Sequence, residues 1–151
     1  MSPNATPLSN APLRGDFMLL RAHTLRLVLP QADILATEHF DAKGNAAEQD
    51  GFVLLPRGRD SLRVGALSDR MTLSKPFPRD RFMVTVLAGE ELAWAWSDVK
   101  VLADARLEPL ALPPALLLPD APVEAYIEDE DGIAFLCTGR RLASFALARR
   151  G

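Results

Sequence analysis

The chain has 151 residues, 48% of them hydrophobic and 25% charged, with a formal net charge of −3. This is the make-up of one ordinary globular domain, able to bury roughly 70% of its unfolded surface. The acidic balance argues against a general nucleic-acid binder, which carries a basic face, and the single cysteine excludes an intramolecular disulfide and a cysteine-based zinc site.

Residues 1–13 are rich in Ser, Pro and Asn with little that could pack, and read as a disordered tail ahead of a single domain over 14–151. They lack the basic-then-apolar order of a signal peptide. Residues 17–20 and 25–29 read as a hairpin turning near His23. In its second strand Leu25, Leu27 and Leu29 share one face; Arg26 and Val28 share the other, with Val28 breaking an otherwise half-buried pattern. Residues 32–40 fit a strand or a short helical turn, and 41–50 a polar loop. Residues 51–55 (GFVLL) suit a buried strand, 56–60 turn the chain, and 61–64 return it. Residues 67–73 read as a short helix with Ser68 as N-cap. The prolines at 76 and 78 hold 75–78 extended.

Residues 81–88, the turn Gly89-Glu90 and residues 92–96 form the central hairpin, which continues into 99–102. The most apolar stretch, 107–119, holds a Glu, is broken by prolines and is too short to span a bilayer. The expectation is a cytoplasmic protein with no direct membrane insertion. Residues 123–127 and 133–137 are strands joined at Asp131-Gly132. Residues 140–147 fit a returning strand or a terminal helix, and their Ala and Leu content favours helix.

Candidate chemistry is sparse. His23 and His39 are the only histidines, and neither lies near a nucleophile motif. Glu38, His39 and Asp41 lack diagnostic metal-ligand spacing. The run 128–131 (EDED) lacks the alternating oxygen ligands of an EF-hand loop and reads as a solvated turn. Cys137, in an apolar strand, reads as a buried inert thiol. Arg57-Gly58-Arg59 fits a surface turn or an interaction site, since exposed Arg is enriched at binding hot spots. Trp94 and Trp96 are two apart and share one face of a strand. They suit the core, a partner-binding patch, or the lining of a pocket in a small-molecule-binding β-barrel. Nothing pairs a nucleophile with a base and an orienting group, so no enzyme and no cofactor is expected.

From Asp16 onward, the order of motifs resembles the CheW-like domain, the coupling module of bacterial chemosensory systems. Phe17-Met18-Leu19-Leu20 and Leu25 through Pro30 resemble its opening hairpin. Gly51-Phe52-Val53-Leu54-Leu55-Pro56-Arg57-Gly58 resembles its Gly-apolar-apolar-Asn-Leu-Arg-Gly signature. Trp96-Ser97-Asp98-Val99 resembles its Val-Asp-x-Val strand end, and Pro113-Pro114 followed by Asp131-Gly132-Ile133 its last signature. The chain departs from the pattern at Leu54, where the family has Asn, at an extra Pro56, and at Ser97 in place of Asp. The resemblance implies a mostly β fold of two small five-stranded β-barrels packed together, with one or two short helices. It also implies a non-catalytic adaptor that holds the regulatory domain of a CheA-type histidine kinase to the cytoplasmic tip of a chemoreceptor. Arg57 and Gly58 would carry over to the interaction region. Val99 aligns as well, and Trp94 and Trp96 are added as candidate partner contacts.

Overall fold

The computed structural model describes residues 12–40, 48–57, 59–89, 92–114 and 123–148. Its strands are β1 (Leu13–Ala22), β2 (Leu25–Pro30), β3 (Ile34–His39), β4 (Glu48–Gln49), β5 (Phe52–Arg57), β6 (Asp60–Ala66), β7 (Met83–Leu87), β8 (Leu92–Trp96), β9 (Asp98–Leu107), β10 (Val123–Asp129) and β11 (Gly132–Cys137). A 3-10 turn, Gln31–Asp33, precedes β3, and helix α1 (Gly139–Ala148) follows β11. They form two mixed sheets, one ordered β10-β11-β2-β1-β9 and the other β3-β7-β8-β6-β5-β4.

Side-chain alternation lets one strand feed two cores at once, because successive residues point to opposite faces. On the five-stranded sheet, Met18, Leu20 and Ala22 of β1 and Leu25, Leu27 and Leu29 of β2 turn to a central core. Phe52, Leu92, Trp94 and Trp96 of the six-stranded sheet enter the same core. The opposite faces are buried as well. Phe17, Val28, Leu107, Ile127, Ala134 and Leu136 form a second cluster; Val53, Val64, Val84, Val86, Ala93 and Ala95 contribute to a third. The second cluster draws on all five strands of its sheet, both edges included, so that sheet curls over it.

The two expected five-stranded barrels are not what the chain builds. One sheet has five strands and the other six, and both are open. The five-stranded sheet ends on β9 and β10, and among the described residues no ladder joins those edges; one isolated bridge, Leu110↔Tyr126, follows the end of β9. The sixth strand of the other sheet is β4, two residues that pair with Phe52 and Val53 from within the expected loop 41–50. Of that loop, 41–47 lie outside the described residues. So do 1–11 of the expected tail, while Leu13 already pairs with Leu107.

The short helix expected over 67–73 is a three-residue hairpin instead. Leu67 and Leu73 form an antiparallel bridge, the Ser68 amide donates to the Thr72 carbonyl at 2.8 Å, and the Met71 amide to the Ser68 carbonyl at 3.0 Å. Met71 takes φ 62°, the left-handed residue that such a loop needs and a helix forbids. Ser68 still caps, its Oγ accepting from the amides of Arg70 (3.2 Å) and Thr72 (3.3 Å). A short Ser-led segment serves either geometry, and burial of Leu67 and Leu73 in the central core favours the hairpin. The C-terminal helix does form. Thr138 Oγ1 accepts from the Arg141 amide at 3.2 Å, Asp33 Oδ2 accepts from the Gly139 amide at 3.0 Å, and Leu142 is buried in the central core.

Candidate functional site

The residues singled out from the sequence lie in different parts of the fold. Trp94 and Trp96 sit on β8, whose five residues are all buried, and both indoles have zero exposure. Trp96 Nε1 donates to Thr85 Oγ1 at 2.8 Å; Trp94 Nε1 has no partner among the described residues. A Cβ on Gly65 would stand 3.0 Å from both the Trp94 ring and the Phe52 ring, so the bare backbone of β6 accommodates the indole. The two rings can reach a partner only through the residues that cover them. Val99 is half-buried on β9, packed against the central core.

Arg57 is the last residue of β5 and closes the β5–β6 hairpin opposite Asp60. Gly58, the next residue, lies outside the described residues. On the same hairpin, Leu54 pairs with Arg63 across the ladder and is 44% exposed. The Arg63 guanidinium carbon sits 5.0 Å from the centre of the Phe52 ring, a cation–π contact that holds the cation beside the apolar surface. Leu54 and Arg63 escaped sequence reasoning because alternation in GFVLL does not say where the facing sheet ends. The only signal was Leu54 itself, apolar where the resembled family has a polar residue.

The two histidines lie apart, one at a turn and one at a strand end. His23 lies exposed at the β1–β2 turn, with φ 59° and its amide donating to Ser97 Oγ at 3.1 Å. His39 ends β3. Among the described residues, no group of three or more His, Cys, Asp or Glu is placed to hold a metal ion. Cys137 is buried, and burial pushes its thiol far above the ordinary range. In the acidic turn, Asp129 accepts from the Arg26 guanidinium at 2.5 and 3.0 Å. That pairing raises the Arg26 pKa and holds the Asp129 carboxyl below the usual carboxylate range. Asp129 Oδ1 also accepts from the Asp131 amide at 2.8 Å, as a tight β10–β11 hairpin requires.

A cleft of about 580 Å³ opens between the ends of β9 and β10, with Leu102, Leu107, Leu110 and Ile127 among its lining residues. Neither tryptophan lines it, so the pocket imagined around Trp94 and Trp96 has no counterpart there. No helix is long and apolar enough to cross a membrane among the described residues.

No family model matches the sequence, and no curated protein matches it. Among solved structures, the chain is similar to the scaffolding protein TtCheW from Thermoanaerobacter tengcongensis. The TM-score is 0.55 at 12% identity, covering 83% of this chain and 89% of that one. At that identity the likeness establishes the fold: two packed β-sheets in the arrangement of a CheW protein.

Proposed function

We propose that this chain is a non-catalytic adaptor of a bacterial chemosensory system, working in the cytoplasm through protein–protein contacts. Residues 14–151 act as one CheW-like domain. Its partners are the regulatory domain of a CheA-type histidine kinase and the cytoplasmic tip of a chemoreceptor. The fold likeness, running over most of both chains, supports the class. The observation that carries the site is the β5–β6 hairpin. There Leu54 lies exposed beside Arg63, on strands that lead to Arg57 and, next in sequence, Gly58. An exposed apolar side chain beside an arginine is the composition of a protein-binding patch. Val99 would adjoin the interface from the other sheet, while Trp94 and Trp96 would support it from beneath.

The test is a calorimetric titration against the regulatory domain of a chemosensory kinase from the same organism, with Arg57→Glu alongside. Micromolar or tighter binding is expected, weakened at least roughly tenfold (about 1.4 kcal/mol) in the variant with the melting temperature unchanged. Failure to bind any such domain would refute kinase coupling. A large loss of stability in the variant would make Arg57 a structural residue.

A further inference from the structure

Arg63 stands where the central core gives way to solvent. Phe52, Leu54 and Pro56 alternate onto one face of β5, and Arg63 joins that face from β6, paired with Leu54. Exposure along it rises from 3% at Phe52 to 44% at Leu54. Toward the turn the hairpin runs alone among the described residues, since the β4 ladder stops at Val53 and the β8 ladder at Arg63. Pro56 has no N–H to offer a further strand on the edge of β5. A partner reaching β5 here meets side chains before backbone.

Arg63 does one thing in the fold and has the means for another. Its guanidinium carbon lies 5.0 Å from the centre of the Phe52 ring, so it covers the last buried ring of the face and is held in place by it. An aliphatic chain alone would serve as cover. The Arg63 side chain is exposed and carries five N–H donors in a fixed fork. Among the described residues no hydrogen bond or ion pair uses them. Arg26 and Arg81, by contrast, commit their N–H groups to Asp129 and to Asp80, Ser97 and the Leu67 carbonyl. A fork held beside an apolar surface suits a carboxylate bound by two N–H groups at once, and holding it in advance lowers the ordering cost of that contact.

We propose that Arg63, positioned by Phe52, is the residue of the β5–β6 hairpin that selects the partner, and that the partner presents a carboxylate beside an apolar side chain. The carboxylate takes the Arg63 fork, and the apolar side chain packs on Leu54, which stands where the resembled family has Asn. This rests on the reading of the hairpin as the kinase-domain contact and deepens it. It moves the deciding contact from Arg57, which the family signature supplies, to a cross-strand pair further along the hairpin.

The test is calorimetric titration of the full chain against the regulatory domain of a chemosensory kinase from the same organism, comparing wild type with Arg63→Met and Arg63→Lys. Met keeps an unbranched chain over Phe52 and removes every donor; Lys keeps the charge and removes the fork. Each should weaken binding at least roughly tenfold, with the melting temperature within about 2 °C of wild type. Wild-type affinity should fall in higher salt more steeply than that of Arg63→Met. A second pair leaves the cover of Phe52 untouched. Leu54→Glu places a carboxylate directly across the ladder from Arg63, where it engages the fork from within the chain, and should bind at least roughly tenfold more weakly than Leu54→Gln. If Arg63→Met does not fold, the Leu54 pair decides. Wild-type binding that Arg63→Met or Arg63→Lys retains, or equal binding by Leu54→Glu and Leu54→Gln, would overturn this inference and leave kinase coupling standing. Absence of wild-type binding would overturn both.

Discussion

Replacing Thr85 by Val tests whether the tryptophan strand is core or site. Thr85 and Trp96 are both fully buried, and their 2.8 Å hydrogen bond is the indole's partner. Valine keeps the β-branched shape and the strand preference but has no acceptor, so the change isolates the hydrogen bond. Leaving a buried N–H unsatisfied costs about 1–3 kcal/mol. For a chain of this size that corresponds to a melting temperature lower by roughly 2–12 °C. Trp94 Nε1 already lacks a partner among the described residues, so the variant would bury two such groups on one strand. Thr85→Ser is the control: it keeps the acceptor and loses one methyl, worth about 0.8 kcal/mol of transfer plus a small cavity. Urea unfolding followed by tryptophan fluorescence should rank wild type above Ser and Ser above Val. A Val variant as stable as wild type, with Ser the worse, would refute the reasoning. Packing alone would then govern the site.

Gly65→Ala should destabilise by about 1–3 kcal/mol, since its methyl meets Phe52, Trp94 and Leu73 at 3.0–3.1 Å; urea unfolding measures it. The Arg26–Asp129 pair should contribute roughly 0.5–1 kcal/mol, given an Asp129 side chain 37% exposed. Because the folded Asp129 pKa is lowered, this contribution is present above the unfolded carboxylate value, near 3.8, and is lost as pH falls through the folded value. The stability gap between wild type and Asp129→Asn should therefore close in acid, and a gap that persists there would contradict the assignment. Cys137 should resist Ellman's reagent in the native protein and react after denaturation, since burial keeps it a thiol; stoichiometric native labelling would contradict this.

Much of the strand pattern was legible because turn residues and alternation act locally. His23, Gly89 and Asp131-Gly132 sit at hairpin turns where expected, and the Ala- and Leu-rich C-terminus is helical. What escaped depends on contacts remote in sequence. Val28, an imperfection in a half-buried strand, is fully buried in a second core. With the unbroken apolar run 17–20, which also feeds both cores, it announced that both faces of its sheet are covered. The alternation of Trp and Ala in 92–96 has the same meaning: indoles fill the space between the sheets, and methyls lie against the outer cluster. Barrel closure was not legible at all, because it turns on whether two distant edges meet. The bulge at Ala103-Asp104 opposite Asp16 involves residues 88 apart. Of the candidate site, sequence offered Arg57 and Gly58, while the exposure of Leu54 beside Arg63 depends on where the facing sheet ends.

The relation between the two sheets rests on a buried cation. Arg81 is 3% exposed, and removing a guanidinium from water is costly unless it is well paired. Its NH1 donates to Asp80 Oδ1 at 2.8 Å and to Ser97 Oγ at 3.0 Å, and its NH2 to the Leu67 carbonyl at 2.9 Å. Ser97 is the single residue between β8 of one sheet and β9 of the other. It also accepts from the His23 amide, while Asp69 of the 67–73 hairpin accepts from the Thr24 amide at 3.0 Å. The β1–β2 turn of the five-stranded sheet is thus tied to two segments that adjoin the six-stranded sheet, the 67–73 hairpin after β6 and Ser97 after β8, where the chain crosses over. Ser97 stands where the resembled family has Asp, and a second carboxylate there would compete with Asp80 for the same NH1. With neither sheet closed into a barrel, this polar crossing restrains the angle between them.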